Sequence, residues 1–89
     1  MFIYLIEQNV NEGYDTFSSA VVVAHSKDEA SKMHPNASYT WNGSRWQSSK
    51  WSDDDDSWAN PKDVSATLIG VADSAFNKPK VILASFIAG

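Results

Sequence analysis

Two apolar runs, one near each end, constrain this chain more than anything between them. Phe2-Ile3-Tyr4-Leu5-Ile6 carries no charge, and Val81-Ile82-Leu83-Ala84-Ser85-Phe86-Ile87 has a single polar residue, Ser85. Both are short, and both are dominated by β-branched and aromatic side chains, so they read as strands. A strand without polar alternation is one covered on both faces, which places it inside a sheet. The chain has 89 residues. That length makes one domain, residues 1–89, which buries only about 60% of its unfolded surface. Both runs therefore belong to one sheet, as its central neighbours.

The rest of the chain supplies two more strands and one helix. Asn9 to Asp15 is a loop with Gly13 as its permissive residue. Phe17 to Ala24 is a strand built on Val21, Val22 and Val23, whose stiff side chains suit a pleated surface. Ser26-Lys27-Asp28-Glu29 is a capping box: the Ser26 hydroxyl accepts from the Glu29 N–H, and the Glu29 side chain reaches back. The helix then runs Lys27 to His34, with Ala30 and Met33 as its apolar stripe, and Pro35 stops it. Val64 to Val71 alternates as a half-buried strand, and Ala72 to Pro79 is a turn. The expected class is α+β: a four-stranded, mainly antiparallel sheet in the order 2-1-4-3, one short helix, and a tryptophan-rich insertion. One short helix cannot cover four strands, so the insertion or a second copy must cover the remainder.

That insertion holds all four tryptophans, at 41, 46, 51 and 58, and the only arginine, Arg45. Asn42-Gly43 is a strong hairpin signal, because a type I′ turn needs positive φ at both central residues. The expected arms are Ser38–Trp41 and Ser44–Gln47. Ser52 would cap a single helical turn ending at Trp58. Two readings of the rings stand side by side. In one they close the open face of the sheet as a satellite core. In the other, Trp41, Trp46 and Trp51 line a pocket for a planar, nucleotide-like ligand. Arg45 then grips phosphate or carboxylate in bidentate fashion, and Lys50 adds a point charge.

Asp53, Asp54, Asp55 and Asp56 follow in an unbroken run. An EF-hand reading fails: with Asp53 first, Trp58 falls on the glycine position and Val64 on the bidentate glutamate position. The run reads as a solvated acidic face, or as a patch that meets a basic protein. His25 and His34 have no second histidine or cysteine at ligand spacing. No phosphate-binding glycine loop or nucleophile elbow is present, so no catalytic constellation and no cofactor is expected. The formal net charge of −4 argues against direct nucleic-acid binding. With no cysteine the chain suits a reducing cytoplasm. No stretch approaches the ~20 apolar residues of a membrane span.

Several segments together resemble a group of small proteins encoded by bacteriophages and prophages. They are Ile3-Tyr4-Leu5-Ile6, Gly13-Tyr14-Asp15, Ala20-Val21-Val22-Val23-Ala24 with Ser26, Glu29 and Ala30, then Pro35, Leu68-Ile69-Gly70-Val71-Ala72, and Val81 to Phe86 with closing Ala88-Gly89. The resemblance covers most of the chain, although the middle is unusually rich in Trp and Asp. It implies a non-catalytic accessory protein acting against host defence in the host cytoplasm. Two mechanisms suit these residues. One is an oligomeric sponge that sequesters a nucleotide-derived immune signal through Trp41, Arg45, Trp46, Lys50 and Trp51. The other is an acidic inhibitor, comparable to an anti-CRISPR, that blocks a basic nucleic-acid-binding defence protein through Asp53 to Asp56.

Overall fold

β1 (Phe2–Glu7) lies inside the sheet, as its composition requires. The computed structural model describes residues 1–10, 16–48 and 57–87. β1 pairs antiparallel with β2 (Thr16–Ala24), with Leu5 opposite Val21 and Tyr4 opposite Val22. Its other edge pairs antiparallel with β5 (Ser65–Val71). β6 (Lys80–Ile87) pairs antiparallel with the far side of β2. Between β2 and β5 come α1 (Lys27–Ser31) and the hairpin strands β3 (Tyr39–Trp41) and β4 (Trp46–Ser48). The result is a single antiparallel sheet in the order β5-β1-β2-β6, with a separate two-stranded ribbon.

The expected order 2-1-4-3 is corrected by this arrangement. The first strand is central, but its other central neighbour is β2, and the apolar β6 lies at an edge. The reason lies in β2 and in the connection from β5 to β6. Val22, Val23 and Ala24 are fully buried, so β2 needs a neighbour on both sides. Residues 72–79 do not form a tight hairpin. They leave β5 where Val71 pairs with Phe2, and deliver β6 where Lys80 pairs with Val23. That crossing spans two intervening strands, ~14 Å at the usual strand spacing, which eight residues reach easily. The Ala72 N–H donates to the Met1 carbonyl at 3.1 Å and fixes the start of the crossing.

The two sheet faces differ. Tyr4 and Ile6 of β1, Ala20, Val22 and Ala24 of β2, and Ala66 of β5 form one buried cluster with Ala30, Trp46 and Trp58. Alternation puts Ile3, Leu5 and Val21 on the opposite face, half-buried.

α1 is shorter than the expected Lys27 to His34. The Ser26 hydroxyl accepts from the Glu29 N–H at 3.1 Å, as the capping box requires. The Glu29 carboxylate reaches back to the N–H of His25, at 2.7 Å, rather than that of Ser26. The helix stops at Ser31 because Met33 pairs across to Thr40 and His34 and Pro35 turn into the core. A single 3-10 turn, Pro61–Asp63, leads into β5. Among the described residues no helix is long and apolar enough to cross a membrane.

The hairpin also departs from its expected form. Its second arm starts at Trp46 rather than Ser44, so four residues, 42–45, make the loop. The Asn42 side chain causes this. Its Oδ1 accepts from the N–H groups of Ser44 and Arg45, both at 2.9 Å, and from the Ser44 hydroxyl at 3.1 Å. A side-chain amide so placed closes a wider loop than a two-residue turn allows. Gly43 takes a φ of 103°.

Two stability measurements follow from these placements. Ile6→Ala should cost ~2–5 kcal/mol in urea unfolding, whereas Val71→Ala, at a position 76% exposed, should stay within about 0.5 kcal/mol. Gly43→Ala should cost about 1–2 kcal/mol through backbone strain alone, since a Cβ there meets nothing within 4 Å.

Candidate functional site

The tryptophan hairpin is held against the sheet by a cluster of aromatic rings around His34. The His-Pro dipeptide sets this up: the residue before a proline is pushed out of the helical region, which ends the helix segment and turns the imidazole inward. His34 is 3% exposed. Its ring stacks on Tyr39, centroids 4.6 Å apart and 24° between planes. Trp46 presents an edge to it at 5.1 Å, and Phe17 does so at 6.1 Å. Trp58 lies tilted at 6.3 Å. The Asn36 N–H donates to His34 Nδ1 at 2.9 Å, so the neutral ring carries its proton on Nε2.

Two hydrogen bonds tie this cluster to the chain on either side. Trp46 Nε1 donates to the Ala59 carbonyl at 2.9 Å, a buried bond between residues 13 apart in sequence. The Phe17 N–H donates to the Ser57 carbonyl at 2.8 Å, joining the start of β2 to the segment that carries Trp58. The hairpin and segment 57–60 thus form one layer packed against the sheet. Trp46 and Trp58, 3% and 1% exposed, fill it.

The residues expected to form a ligand pocket are therefore differently placed. Trp46 lies in the core. Trp41 is half-buried on the same hairpin face, its ring at 5.2 Å from that of Trp46 and inclined at 66°. Arg45 is exposed in the loop, immediately before Trp46. Lys50 and Trp51 lie outside the described residues, as do Asp53, Asp54, Asp55 and Asp56, the Ser52-capped turn, and the Gly13 loop. The more exposed parts of the described hairpin are the loop residue Arg45, part of Trp41, and a pair of amides. Asn42 Nδ2 donates to Gln47 Oε1 at 2.8 Å, which holds those amides across the ribbon.

His34 as the hub of the ring cluster is the residue that sequence reasoning missed. The lack of a second histidine or cysteine at ligand spacing says nothing about how its ring packs. The available signal was the proline beside it. Elsewhere, His25 Nδ1 lies 3.0 Å from Glu29 on the surface, and the neighbouring Ser26 hydroxyl is occupied as the helix cap. Among the described residues no group of three His, Cys, Asp or Glu is placed to hold a metal ion. An open groove of about 540 Å³ runs between α1 and β5, with Lys27, Asp28, Ser31, Ser65 and Thr67 on its walls. Asp28 there is bonded to Lys32 at 3.0 Å.

Comparison with known proteins finds no matching family model, no matching curated protein and no matching solved structure.

The two hairpin tryptophans should respond differently to substitution. Trp46→Phe removes the donor to a buried carbonyl and should cost about 1–3 kcal/mol beyond the lost ring area. In a domain of this size each such kcal/mol lowers the thermal midpoint by ~4–8 °C. Trp41→Phe, which loses no buried hydrogen bond, should shift the midpoint much less in the same melting experiment.

Proposed function

We propose that this chain is a non-catalytic binding protein that presents its hairpin tip, Trp41 with Arg45, to a protein partner. The observation that carries this reading is the commitment of Trp46 and Trp58 to the core. A planar ligand is clamped between two free ring faces, and the described hairpin offers one partly exposed ring. A partly exposed tryptophan at the end of β3 and an exposed arginine in the adjoining loop, framed by amides on a braced ribbon, instead have the composition of a protein-interface anchor. The net charge of −4 favours a basic partner. In the setting that the resemblance to phage accessory proteins implies, that partner is a basic, nucleic-acid-binding defence protein of the host.

A second reading keeps a specific support. The indole of Trp41 and the guanidinium of Arg45 are the two groups that a nucleotide-derived signal needs for its base and its phosphate. In that case the second ring comes from Trp51 or from another copy of the chain, as in an oligomeric sponge.

One pair of variants tests both. Wild type immobilised against host lysate should retain a basic protein, and Trp41→Ala or Arg45→Ala should weaken purified binding by roughly thirtyfold, the effect of a ~2 kcal/mol anchor. Arg45→Ala should keep the wild-type melting midpoint to within a few degrees, and Trp41→Ala, which loses its ring contact with Trp46, should lower the midpoint while the chain stays folded at the binding temperature. Retention that is unchanged in both variants refutes the hairpin as the contact. A selective rise of the melting midpoint with cyclic dinucleotides or cyclic ADP-ribose isomers, lost in Trp41→Ala, replaces the protein-partner reading with the sponge.

A further inference from the structure

The outer edge of β6 is where the composition of this chain and its lone protomer disagree most. From Val81 to Ile87 the strand has one polar residue and no charge or proline, the makeup of a strand enclosed on both sides. Among the described residues nothing pairs with its outer edge. Alternate N–H and C=O groups there face outward and form a template for another strand. The usual protection of such an edge is a charge. The single charge on β6, Lys80, is drawn away over its own loop, with Nζ 5.6 Å from the centroid of the Phe76 ring. The register with β2 shifts near Ile82 and again between Phe17 and Ser19; between the two shifts Leu83, Ala84 and Ser85 pair regularly with Val21, Ala20 and Ser19. A straight segment is therefore available.

The side chains along that segment are complementary to themselves. Leu83 is 67% exposed and stands out from the strand. It borders a shallow depression of about 260 Å³ lined also by Val21 and by the small residues Ser19, Ala20, Ala84 and Ser85. A projection and a hollow side by side on one edge are what an isologous two-fold contact needs, since each copy supplies both. We infer that two copies of this chain pair β6 to β6, antiparallel about a two-fold axis at Ala84, to make one continuous eight-stranded sheet.

This register has definite consequences. Leu83 of one copy lies opposite Ser85 of the other and covers its hollow. Opposed residues in an antiparallel pair share a face, so the tryptophan layers of both copies lie on the same side. The two Lys80 side chains sit at opposite ends of the new pair, ~26 Å apart along the strands, and do not repel at contact. An edge of eight residues is well below the ~20–30 residues per side of a standard interface. The dimer therefore exchanges with monomer as concentration changes. This inference is separate from the hairpin-tip reading, whose residues lie on β3 and in the loop that follows it.

Sedimentation velocity on the whole chain across a dilution series tests it. Wild type should shift from monomer toward dimer as concentration rises, and Leu83→Lys should remain monomeric with an unchanged far-UV circular dichroism spectrum. The chain has no cysteine, so Ala84→Cys introduces a single thiol on the axis. Opposed Cα atoms there are ~4.5–5.5 Å apart, within disulfide range. Mild oxidation should give a covalent dimer with Ala84→Cys and none with Val71→Cys on the far edge of the sheet. Should Leu83→Lys fail to fold, the two cysteine variants decide the question by themselves. A wild type that stays monomeric throughout, a dimer that survives Leu83→Lys, or equal cross-linking by both cysteines overturns the inference. Trp41→Ala and Arg45→Ala should leave the dimer intact, so loss of partner binding and loss of self-pairing are read independently.

Discussion

The packing of rings around His34 is the interaction on which the rest of the structure depends. A four-stranded sheet with one five-residue helix leaves most of a face uncovered. The hairpin covers it, but six paired residues do not make a stable ribbon alone. It is stable here because Tyr39, Trp46, Phe17 and Trp58 close around one imidazole. The Trp46 indole N–H then satisfies the Ala59 carbonyl inside that cluster. Large rings contribute most of the area, and the buried Trp46–Ala59 hydrogen bond helps specify where they sit.

This construction links the fold to the function proposed for it. Trp46, which looks like a ligand-stacking group in sequence, is consumed together with Trp58 in attaching the layer that carries Trp41. Trp41 and Arg45 stay near solvent because the loop is braced below them by Asn42, whose amide bonds both the loop N–H groups and the Gln47 side chain. A braced tip loses little conformational freedom on binding, which is the condition under which an aromatic and an arginine serve a partner best. The outer edge of β6 is a second surface, made by a different part of the chain.

Several features were legible in residue order because they depend on neighbours in the chain. Ser26 and Glu29 lie three apart, so the cap is a local fact, and the structure contains it. The antiparallel pairing of β1 with β2 follows from a short connection between two strand-like runs. The hairpin was legible from Asn42-Gly43, but its loop length was not. That length depends on whether the Asn42 amide turns inward to the backbone, a choice among rotamers that composition does not express. The buried role of His34 was likewise hidden, because its partners Phe17, Tyr39, Trp46 and Trp58 come from four separated stretches.

What the sequence alone determined is the set of strands, the helix start, the hairpin and the α+β class, since each rests on periodicity or on contacts within a few residues. What the tertiary structure decided is the order of strands and the fate of the rings. Composition ranked the first and last strands as most apolar and so placed both at the centre. Burial is a property of position, and the valines of β2 took the central place because a connection of eight residues was long enough to carry β6 to the far edge. The same distinction governs the tryptophans: a side chain's chemistry is written in its residue type, whereas whether it faces core or solvent depends on which segment folds over it.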